Sequence, residues 1–149
     1  MPMLRRSRLP ARLLRYAVDV GAFAEKVLKW KPDAKQMMVL RTRARRVLLN
    51  CSRQWGKTTL AATKMVHLAV MRPGKTILVF SENMSQTGEI FQKIDDFLER
   101  LSIPTRGVPG KKLARRLPNG SRIIAVAARE AAARAYTADF IFIDEAARI

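Results

Sequence analysis

The chain has 149 residues, 48% of them hydrophobic, and carries 29 Lys and Arg against 12 Asp and Glu, a formal charge of +17. That is enough apolar material for one globular core but hardly for two, and so large a basic excess points to a polyanion, nucleic acid first. A single cysteine rules out an internal disulfide and any multi-cysteine zinc site and fits a reducing compartment, and no apolar run approaches the roughly 18 residues of a membrane helix.

The start, "MPMLRRSRLPARLLRY", shares the Arg-rich, acid-poor character of an organellar transit peptide, but no cleavage site marks it as one. From about Ala11 to Lys29, Leu13, Leu14, Ala17, Val20, Ala24, Val27 and Leu28 recur at helical intervals between basic residues, which predicts a basic amphipathic helix. Pro32 breaks it and Asp33 is placed to cap a second helix over about Ala34 to Arg43. After "RTRARR", the run "VLLNC" predicts a strand buried on both faces. A helix then covers "TLAATKMVHLAVM" and stops at Pro73-Gly74. "TILVF" predicts a buried strand, and Ile90, Phe91, Ile94, Phe97, Leu98 and Leu101 form one stripe of a long amphipathic helix. "SIPTRGVPGKKLARRLPNG" is expected as a turn-rich basic connection; "SRIIAVAA" and "DFIFIDEA" are the third and fourth strands. Strands alternating with helices predict an α/β domain with a mostly parallel sheet and helices on both faces.

Two sites bear chemistry. "CSRQWGKTT" departs from the phosphate-loop pattern G-x-x-x-x-G-K-[ST] only in having Cys51 where the first glycine stands. Between a strand and a helix, such a loop aims backbone N–H groups and the positive helix end at phosphates. Lys57 would meet the β- and γ-phosphates of ATP, Thr58 would hold Mg²⁺, and Gly56 would let the backbone approach. "FIFIDEA" then places two carboxylates at a strand end: Asp144 to hold the water shell of Mg²⁺, Glu145 to orient and deprotonate an attacking water. Alone, it reads as a strand ending in a solvated acidic turn; with the loop about ninety residues upstream it reads as half of a P-loop nucleoside triphosphatase.

Taken in order, "NCSRQWGKTTLAA", "LVFSENMSQTGEIFQKI", "LPNGSRIIAVAA" and "YTADFIFIDEAARI" resemble the ATPase domain of phage terminase large subunits, motors that pump DNA into capsids. The resemblance runs from about Pro32 to the end, so residues 1–31 are expected as a basic helical arm and 32–149 as the ATPase domain. Terminases commonly lack the first loop glycine, which makes Cys51 a small strand-end residue and no sign of a dead site. By this resemblance Ser52, Arg53, Gln54, Trp55, Gly56, Lys57, Thr58 and Thr59 form the nucleotide loop, Gln36 in "WKPDAKQ" reads adenine, and Arg53 stabilises the transferring phosphoryl group. Arg134 matches an arginine that in ring motors reaches a neighbour's nucleotide, although Ala135 replaces the family's glycine beside it. The family further implies double-stranded DNA, a small subunit, a capsid portal, a homo-oligomeric ring and a phage or prophage protein in the host cytoplasm, with no membrane.

The chain ends five residues after Asp144. It therefore reads as an amino-terminal piece, without the coupling strand and the nuclease domain that follow in the family. Asp95, Asp96 and Glu99 read as a solvated helix face, His67 as structural. The basic groups Arg41, Arg43, Arg45 and Arg46, and Lys111, Lys112, Arg115 and Arg116, have the charge to grip a phosphate backbone, but a charge run is usually plain solvated surface. Two other readings stay open: a helicase-like nucleic-acid translocase, and a catalytically silent, basic nucleic-acid-binding remnant.

Overall fold

The computed structural model describes residues 11–128 and 136–146. Its helices are α1 Ala11–Leu14, α2 Val20–Lys26, α3 Ala34–Arg41, α4 Lys57–Met71 and α5 Met84–Arg100, and its strands are β1 Thr76–Ser81, β2 Arg106–Val108, β3 Lys111–Arg116, β4 Arg122–Ala127 and β5 Phe140–Ile143. The strands form one sheet in the order β2-β3-β4-β1-β5. At its centre β1 runs parallel to both β4 and β5, while β3 is antiparallel to β4 and to β2. The expected α/β architecture is present, a parallel core extended at one edge by a hairpin.

β1, "TILVFS", is buried on both sides, as a central strand must be. Its alternate residues divide two cores: Ile77 and Val79 join Ile123 and Ala125 beneath α4 and α5, whereas Leu78 lies with Ile124, Val126 and Ala114 on the opposite face. Both long helices therefore cover the same face, and the core of the opposite face draws on no helix among the described residues, so the α/β fold stands but the helices expected on both faces are described on one. α5 delivers Ile90, Phe91, Ile94, Phe97 and Leu98 to that core, each at most 2% exposed, and burial of a side chain of this size contributes roughly 1.5–3 kcal/mol. Asn83 starts the helix by accepting the N–H of Ser85.

The chain ahead of residue 32 packs into the same core through Leu13, Phe23 and Leu28. The single helix expected over Ala11–Lys29 is two short ones, because the Asp19 side chain accepts the N–H of Ala22 and so begins α2 afresh. The Arg100 guanidinium donates to the carbonyl of Leu28 at 2.6 Å, tying this segment to the end of α5.

Two other expectations need correction. "VLLNC" has no ladder pairing among the described residues, and Val47 and Leu48 are 49% and 86% exposed; an apolar run becomes a strand only where a neighbouring strand takes up its N–H and C=O groups. Conversely, the basic connection before β4 is the β2–β3 hairpin. Val108 pairs with Lys111 across Pro109 and Gly110, Gly110 taking φ +75, so that proline presets the first turn position and glycine supplies the second. No helix among the described residues is long and apolar enough to cross a membrane.

Candidate functional site

α4 begins immediately behind Gly56, which sits at its N-cap with φ +88. A Cβ at this position would lie 2.8 Å from Nε2 of Gln36, so both conformation and space call for glycine. Helices α2, α3 and α5 are each capped by a side chain, from Asp19, Asp33 and Asn83, but α4 has no side-chain cap hydrogen bond. Its leading N–H groups and the positive end of its dipole are left for an external anion. Lys57, Thr58 and Thr59 occupy this first turn, half-buried, with Ser52, Arg53 and Gln54 exposed ahead of them. Gln54 has φ +62, so the loop bends through the left-handed region twice in three residues.

The loop is held from α3. The Gln36 amide nitrogen donates to the carbonyl of Trp55 at 2.6 Å, and its oxygen accepts the N–H of Asp33 at 2.9 Å, closing a capping box with the Asp33 carboxylate. Gln36 is thus buried with donor and acceptor both engaged inside the protein; an adenine edge would have to exchange with these bonds. Trp30 braces the next turn, its Nε1–H donating to Oγ1 of Thr63, which donates to the carbonyl of Thr59. Lys64 donates to the carbonyl of Val39 in α3, and burial lowers its pKa.

Asn119, just ahead of β4, donates to the carbonyls of Ala69 and Val70 near the end of α4, which leads directly into β1, so the carboxyl end of α4 lies by the amino ends of β4 and β1 and its amino end points toward their carboxyl ends. Asp144 and Glu145 leave β5 at the same edge, the N–H of Asp144 donating to the carbonyl of Phe80. Asp144 is half-buried; Glu145 is exposed and has φ +50. Parallel strands thereby bring a helix terminus fit for phosphate and a carboxylate pair to one side of the sheet, where open α/β sheets bind ligands. Among the described residues no group of three or more His, Cys, Asp or Glu could hold a metal. Arg134 and the alanines around it lie outside the described residues.

Other residues singled out in the sequence have structural partners. His67 is buried in α4 with Nε2 at 2.8 Å from the carbonyl of Tyr16, so that nitrogen carries the proton. Arg41 pairs with Asp19, and Arg115 forms a two-pronged pair with Asp95 at 2.7 and 2.8 Å. Cys51 is a free, half-buried thiol. Sequence reasoning missed that Gln36 grips the loop; the capping spacing of Asp33 and Gln36 was visible, but the partner nineteen residues away was not.

Residues 48–149 match the family model of the amino-terminal part of T4likevirus-type terminase large subunits. The chain is 29% identical over 142 residues to the terminase large subunit of Thermus phage G20c, an alignment covering 83% of this chain but 29% of that protein. Among solved structures it resembles a mutant ATPase domain of the Thermus phage P74-26 large terminase, with a TM-score of 0.64 at 22% identity over 84% of this chain and 58% of that one. The second likeness speaks for the fold alone.

Proposed function

Because the chain belongs to the terminase large-subunit family, we propose that it is the ATP-hydrolysing part of a DNA-packaging motor, driving double-stranded DNA into a capsid. The observation that carries this reading is the uncapped amino end of α4 behind Gly56, with Lys57 and Thr58 in its first turn and Asp144 and Glu145 at the same sheet edge.

In this proposal the N–H groups of residues 54–58 and the ammonium of Lys57 hold the phosphates of ATP. The Thr58 hydroxyl and the Asp144 carboxylate hold Mg²⁺, which when bound neutralises charge on the phosphate oxygens. Glu145 accepts a proton from the water it orients for in-line attack. Arg53, exposed in the loop, steadies the charge of the transferring group, and Ser52, Gln54, Trp55 and Thr59 shape its cradle. Gln36 fixes the loop from behind and is the candidate adenine reader; Arg134 is the candidate to act on a neighbouring subunit's nucleotide. A homo-oligomeric ring, a small subunit and a portal belong to the same proposal, as do the division at residue 32 and the host cytoplasm as location.

Calorimetric titration of the chain with ATP and Mg²⁺, beside Lys57→Ala, tests it. Binding that disappears in the variant is the expected result. A folded chain that binds no nucleotide sinks the ATPase reading and favours a silent nucleic-acid-binding protein.

A further inference from the structure

Arg115 and Arg116 are neighbours in the sequence, but strand alternation sends them to opposite faces of the sheet. Arg115 lies on the helix-covered face, where the Asp95 carboxylate of α5 takes both prongs of its guanidinium. On the other face, Arg116 stands directly opposite Arg106 of β2 and directly opposite Arg122 of β4. Residues opposed in an antiparallel ladder share a face, so three arginines form a row across three adjacent strands. At roughly 4.8 Å per strand the row is about 10 Å long.

Like charges directly opposite each other destabilise a sheet. The ion pairs among the described residues, Arg41–Asp19, Lys75–Asp139 and Arg115–Asp95, leave this row without a carboxylate. Arg122 donates instead to the hydroxyl of Thr76 at 3.0 Å, which orients its guanidinium and leaves its charge unneutralised. Arg106 and Arg116 are exposed.

We propose that Arg106, Arg116 and Arg122 form a track for the phosphate backbone of double-stranded DNA, an inference that rests on the reading of the chain as a DNA motor. With one phosphate per about 3.4 Å of axis on each strand, a row of this length runs beside about three phosphates, and guanidinium forks suit them. A duplex fits better than a single strand, since single-strand sites add aromatic platforms for bases, whereas the ring of Tyr136 is half-buried and engaged at 5.9 Å by Lys111, at the opposite end of β3 from Arg116. Thr76 and Arg122 begin β1 and β4, whereas Asp144 follows the carboxyl end of β5. Five strand residues, roughly 16 Å, therefore separate the track from the nucleotide edge.

The test compares the chain with R106Q/R116Q/R122Q and with an equal-charge control, K29Q/K31Q/K35Q, whose lysines are exposed elsewhere. Duplex DNA binding is titrated by fluorescence anisotropy between about 50 and 200 mM salt, ATP binding by calorimetry, and folding by thermal melting. We expect the arginine variant to lose duplex affinity at least tenfold relative to the control and its log–log salt slope to fall by about 2 to 3, near 0.9 per lost phosphate contact. Its ATP affinity stays that of the parent chain. Should it melt more than a few degrees early, the single variants Arg106→Gln and Arg116→Gln, which remove no hydrogen bond among the described residues, are each expected to lower the slope by about 1. A parent that binds no duplex, a slope equal to the control's, or a loss confined to single-stranded DNA overturns the proposal. Absent ATP binding in the parent with the arginine effect intact would remove the ATPase reading and leave the track standing.

Discussion

Gln36 and Trp55 are joined across nineteen residues at the candidate phosphate loop: the side-chain amide of one donates to the backbone carbonyl of the other at 2.6 Å. The same amide closes the capping box of α3 through the N–H of Asp33, so one side chain couples a helix start to the loop.

Gln36→Glu keeps the acceptor for Asp33 but sets a carboxylate against the Trp55 carbonyl, whereas Gln36→Ala loses both bonds. Each is expected to lower stability by about 1–2 kcal/mol, near the cost of a lost cap or hydrogen bond. If the loop is the phosphate site, both also weaken ATP at least tenfold by calorimetry, with Glu no better than Ala. ATP affinity that survives in Gln36→Glu would show that the Trp55 bond does not shape the site.

Two glycines of the chain should respond oppositely to alanine. Gly56 has φ +88 and Gln36 Nε2 within 2.8 Å of the new Cβ, so Gly56→Ala is expected to cost about 1–2 kcal/mol in urea unfolding and to abolish ATP binding. Gly88 lies inside α5 with nothing within 4 Å of its added Cβ. Gly88→Ala is expected to add about 0.5–1 kcal/mol by helix propensity and to leave ATP binding alone. Equal effects of the two changes would contradict the loop geometry.

Stability should fall on mild acidification. Burial lowers the pKa of His67 below the ordinary 6.5, opposed by the bond to the Tyr16 carbonyl. The unfolded chain therefore takes up a proton that the folded chain resists, and stability is lost as pH falls below 6.5. Asp19, held by Arg41, and Asp139, held by the N–H of Thr76 and by Lys75, have pKa values lowered from 3.8 and weaken the fold only nearer that pH. Urea unfolding at pH 7.5 and pH 5 isolates the histidine: the parent is less stable at pH 5, and His67→Gln shows a smaller difference. Parallel loss in both would assign the effect to other groups.

What the sequence revealed and what it hid have physical causes. β1, α4, α5, β4 and β5 were legible because each has an apolar pattern with a single period, and the loop because its Gly-Lys-Thr stands before a helix. The β2–β3 hairpin was hidden by its own composition: "KKLARR" has charged residues at most positions, which weak strand propensity reads as a connection. "VPGK", a two-residue turn between residues able to pair, was the signal available. The opposite error befell "VLLNC", where composition is strand-like but pairing is a property of neighbours. Arg115 and Arg116 looked like one cluster until strand alternation separated them.

Glu145 presents a trade between backbone ease and chemistry. It holds φ +50, a region that non-glycine residues other than Asn and Asp enter at a cost, and such strain persists where surrounding structure enforces it. Gln and Asn at this position both remove the carboxylate, but only Asn is at ease in the left-handed region. Glu145→Asn is therefore expected to be more stable than Glu145→Gln by about 0.5–1 kcal/mol in urea unfolding. With Glu145 as the proton acceptor, both variants bind Mg-ATP within about twofold of the parent chain and lose turnover at least a hundredfold, since the base is removed and the phosphate contacts are not. Steady phosphate release from either variant at the parent's rate would take the catalytic role away from Glu145, and equal stabilities of the two would take away the strain.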